Sequence, residues 1–199
     1  MKRIFMTLVS VLFAFLTVGA QNDMYLSGKN KVADKDKSVE DVKRAEEKAL
    51  QQKIDSMQFA EASQAIRDTA FTLEADEVVF KYGERAYVTP STNFVSLKDG
   101  NAVIQTSFNI PVAGPNGMGG ITVNGSMSKY NVKTDKRGNV QVSFYVMGTV
   151  ANCQVNILLY SGSNKATIDL FPTFSSNNLT LEGVILPNEK SFVVQGRTI

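Results

Sequence analysis

Val140-Gln141-Val142-Ser143-Phe144-Tyr145-Val146-Met147 alternates apolar and polar side chains with a period of two. In a β-strand successive side chains point to opposite faces, so Val140, Val142, Phe144 and Val146 line a core while Gln141, Ser143, Tyr145 and Met147 face away from it. A helix would scatter the same residues around its circumference. Just before this strand stands Arg137-Gly138-Asn139, and just after it Cys153, Val155, Ile157 and Leu159 repeat the alternation. Asp99-Gly100 and Gly162-Ser163-Asn164 are further hairpin breaks, where Gly and Asn supply the positive φ angles of primed turns.

The same period and the same punctuation run through residues 71–199. They predict strands at Phe71 to Phe80, Arg85 to Thr89, Asn93 to Leu97, Ala102 to Asn109 and Ile121 to Val132. Five more follow at Val140 to Gly148, Cys153 to Tyr160, Lys165 to Phe171, Leu179 to Ile185 and Phe192 to Gln195. Connections this short force antiparallel neighbours. The fold class is therefore mainly β, an antiparallel sandwich or an up-and-down barrel of about 8 to 10 strands, and the sequence leaves both open. Cys153 is the only cysteine. No intrachain disulfide can form, and on the apolar face of its strand the thiol acts as a small hydrophobe.

Upstream of the β domain the character changes. Lys2 and Arg3 precede an apolar run from Ile4 to Val18 that closes on Gly19-Ala20, the pattern of a signal peptide (1–20) cut before Gln21. Residues 21–37 carry Gly, Ser, Asn and alternating Lys and Asp, a flexible leader. A helix is expected over 38–70, with Ser38 as N-cap and Asp41 three residues on. Its first half bears a thin stripe of Val42, Ala45, Ala49, Ile54 and Met57; Phe59, Ala62, Ile66 and Ala70 form a stickier face that should dock on the β domain. No later segment is long and apolar enough to span a bilayer.

Without Lys2 and Arg3 the charge count is 19 basic against 19 acidic residues, a net of 19 − 19 = 0. The footprint of a nucleic-acid binder is missing, and none is expected as a partner. The chain has no histidine. Hydrolysis through a His base is excluded, and a single cysteine rules out thiolate zinc sites. A paired-carboxylate hydrolase stays formally open, because Glu74, Asp76, Glu77, Glu84, Asp99, Asp135, Asp169, Glu182 and Glu189 all lie in the β domain, Asp169 and Glu182 within strands where a solvent face explains them. The Gly-rich loop at Pro115, Asn116, Gly117, Gly119 and Gly120 lacks both phosphate-binding patterns and runs into a strand, so a wide turn is the plainer reading and a functional loop the sharper one. No cofactor is called for.

Between Asn101 and Tyr160 the only charged residues cluster around one hairpin: Lys129, Lys133, Asp135, Lys136 and Arg137. Positions off the core instead carry neutral hydrogen-bonding groups, among them Asn124, Ser126, Tyr130, Gln141, Tyr145, Gln154 and Asn156. A solvated face would use more Lys and Glu. These seven residues are the candidate ligand or partner surface.

Three segments add a resemblance: Thr89-Pro90-Ser91-Thr92-Asn93-Phe94-Val95-Ser96-Leu97, Gly114-Pro115-Asn116-Gly117-Met118-Gly119-Gly120-Ile121-Thr122 and Gly162-Ser163-Asn164-Lys165-Ala166-Thr167. Together they resemble an exported family of Gram-negative anaerobes classed as a domain of unknown function. The resemblance implies export to the periplasm, the cell envelope or beyond the cell, and it implies no activity. The expected role is a non-catalytic module binding a small neutral ligand, a glycan or a lipid. The alternatives are assembly with an envelope protein through the N-terminal helix, and a carboxylate-dependent hydrolase.

Overall fold

The computed structural model describes residues 40–107, 120–149, 152–173 and 178–196. The expected signal peptide, leader and Ser38 cap lie outside the described residues, as do Pro115, Asn116, Gly117 and Gly119.

Among the described residues nine strands form: β1 (Phe71–Phe80), β2 (Arg85–Tyr87), β3 (Phe94–Lys98), β4 (Asn101–Ser107), β5 (Gly120–Thr134), β6 (Val140–Gly148), β7 (Asn152–Leu159), β8 (Lys165–Pro172) and β9 (Leu179–Pro187). One helix, α1 (residues 40–67), precedes them. The strands pair antiparallel in the order β1-β3-β4-β5-β6-β7-β8-β9, and β9 returns to β1 from Phe71↔Pro187 to Phe80↔Leu179. That last pairing closes an eight-stranded barrel and decides against the sandwich. β2 is an extra short strand on β1, in register at Glu77↔Tyr87. The expected turns have the required backbone: Asp99 and Gly100 both take positive φ, as do Gly138 and Gly162.

Alternation puts one side chain in two inside the barrel, and those side chains fill it. Phe71, Leu73, Phe144, Val155, Ile168 and Leu181 are all fully buried. An eight-stranded barrel is just wide enough for side chains to occupy its interior, which is what happens here. Truncating Phe144 to Ala would cost about 3–5 kcal/mol by the usual cavity penalty.

The chain divides into two units, Met1–Gln51 and Gln52–Ile199. In the first, residues 40–51 are helical and exposed, with Arg44 donating to Glu40 at 2.6 Å one turn away. In the second, the rest of α1 buries Ala62, Ala65 and Ile66 in the barrel core, and Phe59 packs against it. The docking face read from sequence is thus the face that docks. α1 ends at residue 67, followed by a turn in which Thr69 takes a φ of 53° and the Ala70 N–H reaches back to the Ala65 carbonyl.

β5 changes parity partway. Its odd residues face inward up to Met127, which pairs with Val146, but a bulge between Ser128 and Asn131, with Lys129 at φ 54°, hands the interior to Tyr130 and Val132. Tyr130 therefore points into the core. Its ring lies 5.8 Å from that of Phe144 and its hydroxyl donates to the Ile66 carbonyl at 2.7 Å.

The expected tenth strand, Phe192 to Gln195, joins no ladder. Residues 188–196 run as a strap over the outer face of β1, β3 and β4, held by side chains. Asn188 donates to the Leu97 carbonyl at 2.7 Å and accepts from Thr72 at 2.8 Å, while Glu74 accepts from the Ser191 hydroxyl and the Phe192 N–H. Val194 N–H reaches the Ser91 carbonyl. Gln105 completes the strap, donating to Val194 O and accepting from Gly196 N–H, both at 2.8 Å. Phe192 to Gln195 is thus held by the Glu74 carboxylate, the Gln105 amide and the Ser91 carbonyl instead of a strand partner.

Candidate functional site

Mostly outward-facing residues of β5 to β8, with the edges of Val142 and Ile157 between them, line a groove of about 370 Å³ on the outside of the barrel, within the range of small-ligand sites. Register explains its floor. Asn131 stands opposite Ser143, Ser143 opposite Asn156, and Asn156 opposite Asp169, so one polar side chain per strand forms a row across the sheet. The next row carries Lys133, Gln141, Leu158 and Thr167 in the same order. Tyr160 stands at the edge of the groove, its hydroxyl 2.8 Å from Thr167 Oγ1. At the far end Thr180 donates to Asp169 Oδ1 at 2.6 Å and fixes the carboxylate.

The structure distributes the seven candidate residues. Gln141 and Asn156 line the groove. Tyr145 and Gln154 face each other in the row alongside, where Gln154 donates to Asn156 at 3.5 Å and Lys129 Nζ lies 5.4 Å over the Tyr145 ring. Asn124 and Ser126 lie farther along β5, paired with β4, outside the groove. Tyr130 is turned inward, partly buried against the core. Of the loop, Gly120 opens β5, where a β-carbon would run into the Thr106 backbone; packing alone requires glycine there.

Asn131, Lys133, Val142, Ser143, Ile157, Leu158, Tyr160, Thr167 and Asp169 complete the lining and were not among the seven. For Asn131 and Lys133 the signal was present. Apolar residues sit at odd positions through Val123 and Met127 and at an even position at Val132, so the parity of β5 had to change between them.

Several neutral polar groups turn out to be committed elsewhere. Gln105 and Thr122 are fully buried beneath the strap, where Thr122 donates to Gln105 Oε1 at 2.9 Å and Gln105 donates to Thr92 O at 3.0 Å. Buried Asn93 donates to Thr89 O and accepts from the Ser107 N–H.

One cluster of charge on the barrel exterior is paired. Glu77 and Glu182 are direct cross-strand neighbours, bridged by Arg85 at 3.0 and 3.6 Å. Their carboxylates raise the Arg85 pKa, the Glu77 hydrogen bond most of all. At the β5–β6 turn the Asn139 side chain, helped by the N–H groups of Asn139 and Arg137, lowers the Asp135 pKa. Among the described residues no three His, Cys, Asp or Glu side chains come together as metal ligands would, and no helix is long and apolar enough to cross a membrane.

A filled eight-stranded antiparallel barrel with a helix docked on its core and a polar groove on its outer wall is the class that fold and site define. Residues 53–185 match the family described as Domain of unknown function (DUF4251). The chain belongs to that family. It is similar to a crystal structure of a DUF4251 family protein from Bacteroides eggerthii, with 41% sequence identity and a TM-score of 0.62, over 70% of this chain and 94% of that one. No curated protein matches it.

Proposed function

We propose that the protein is a non-catalytic binding module whose outer groove takes a small polar ligand of no net charge. The carrying observation is the row Asn131, Ser143, Asn156, Asp169: amide, hydroxyl and carboxylate groups in cross-strand register along one groove. Of the two ligand classes the composition allowed, a glycan fits better than a lipid. Val142, Ile157 and Leu158 are the aliphatic part of the lining, its other residues all carry a polar group, and the barrel interior is filled by Phe71, Leu73 and Phe144.

Catalysis lacks support. A carboxylate pair in hydrolysis needs one protonated and one ionised member, whereas the adjacent pair Glu77 and Glu182 shares one guanidinium.

The same reading places the protein in the periplasm or cell envelope. The basic and apolar first twenty residues support export. A membrane barrel turns apolar residues outward; here Gln141, Ser143, Asn156 and Thr167 face outward and the apolar set faces in.

Native mass spectrometry of the protein isolated from its own host tests the reading. A non-covalent added mass that disappears in Asn156→Lys is the expected result. An unliganded protein, or a mass retained in the variant, counts against the groove.

A second reading has its own observation. Val42, Leu50, Ile54 and Met57 of α1 are 57%, 61%, 39% and 58% exposed, apolar surface suited to a helical partner. Removing residues 21–55 then abolishes co-purification of that partner, and unchanged co-purification would sink this reading.

A further inference from the structure

The spacing of the groove's floor narrows the ligand further, on the reading that the groove binds a neutral polar molecule. Asn131, Ser143, Asn156 and Asp169 sit on four consecutive strands, β5 to β8, each opposite the next. Adjacent strands lie about 4.8 Å apart, close to the length of one pyranose unit in an extended chain. Each strand then offers one hydrogen-bonding side chain per sugar.

The chemistry of the row suits hydroxyl groups. An Asn amide offers a donor and an acceptor to neighbouring hydroxyls, and a carboxylate can accept from two at once. Asp169 is pre-positioned for this, since Thr180 occupies Oδ1. Tyr160, 42% exposed and tethered through its hydroxyl to Thr167, presents a ring at the groove edge against which the C–H face of a sugar can lie. Lys133 at the β5 side and Asp169 on β8 carry opposite charges. A chain bearing charge of one sign along its length would be attracted at one and repelled at the other.

We propose that the groove binds a linear, extended, neutral oligosaccharide laid across the strands, one sugar per strand from β5 to β8. A chain that coils does not hold this repeat, so linkage geometry matters as much as sugar identity.

Titration calorimetry on the full chain with cello-oligosaccharides of two to five units, which are extended, and malto-oligosaccharides of the same lengths, which coil, tests the proposal. Affinity for the extended series should rise with each unit up to four and change little at five. At four units the coiled series should bind about tenfold more weakly, and Asn156→Ala should lose about tenfold for the extended tetramer, the worth of one or two hydrogen bonds. Equal affinity at every length, equal affinity for both series, or no binding of either overturns it. If a disaccharide binds, loses binding in Asn156→Lys and gains nothing with length, the groove stands as the binding site and only the one-sugar-per-strand register falls.

Discussion

Tyr130 Oη donates a hydrogen bond of 2.7 Å to the carbonyl of Ile66, 64 positions earlier in the chain. Ile66 is in the last turn of α1, and its carbonyl also accepts the Thr69 N–H at 3.1 Å. The phenol therefore adds a second donor to that carbonyl and joins the helix to the barrel wall in one contact. Tyr130→Phe keeps the ring against Phe144 and leaves the carbonyl with the Thr69 N–H alone. It should cost about 1 kcal/mol, a fall in Tm of a few degrees for a domain of this size, measured by calorimetry. An unchanged Tm would show that the helix docks by apolar contact alone.

Ser63 should behave oppositely. It lies on the docked turn of α1, 4% exposed, and its hydroxyl has no hydrogen-bond partner among the described residues. Burying an unmet hydroxyl is unfavourable, and Ala is the better helix former. Ser63→Ala should raise stability by about 1 kcal/mol, read as a higher urea midpoint with an unchanged slope.

Gln105 is the strap's anchor. Fully buried, it joins Thr92, Thr122, Val194 and Gly196 through four hydrogen bonds. Gln105→Leu keeps the approximate volume and strands those partners. The expected cost is about 3 kcal/mol, accompanied by faster amide exchange at Val194 and Gly196. Loss of stability without faster exchange there would separate Gln105 from the strap.

The pH response should lie on the alkaline side. Burial raises the Tyr130 phenol above its ordinary value of 10.0. Burial likewise pushes the Cys153 thiol from 9.0 up to about 11, a weaker hydrogen bond to the Phe171 backbone opposing it. A raised folded pKa means that the unfolded chain gives up its proton first. The stability tied to these groups is whole below their unfolded values and drains as pH climbs toward their folded ones. Urea midpoints should fall from about pH 9 to 11, less steeply in Tyr130→Phe and Cys153→Ala than in the parent. A parallel fall in all three proteins would assign the loss to other groups.

How legible the molecule was from its sequence depended on range. The strand Val140 to Gly148 and the turns at Asp99-Gly100 and Gly138 were readable because side-chain period and turn chemistry are local. Barrel closure was not, since it rests on Phe71↔Pro187 and the pairs that follow, contacts between the two ends of the β domain that leave no local mark. Less of the groove was legible, for a related reason. Gln141 and Asn156 follow from simple alternation, but the bulge after Ser128 reverses the parity of β5, taking Tyr130 inward and bringing Asn131 and Lys133 out. Neutral side chains such as Gln105 and Thr122 matched a ligand surface in composition, and the chain's own strap uses them.

The most direct measurement is an amide-resolved NMR titration of the full chain with a mixture of neutral oligosaccharides. The account predicts shifts that saturate and map to Ser143, Asn156, Thr167 and Tyr160, with the strap at Val194 and the helix around Leu50 unmoved. Shifts that map to the strap or the helix, or a spectrum that does not change, would contradict it.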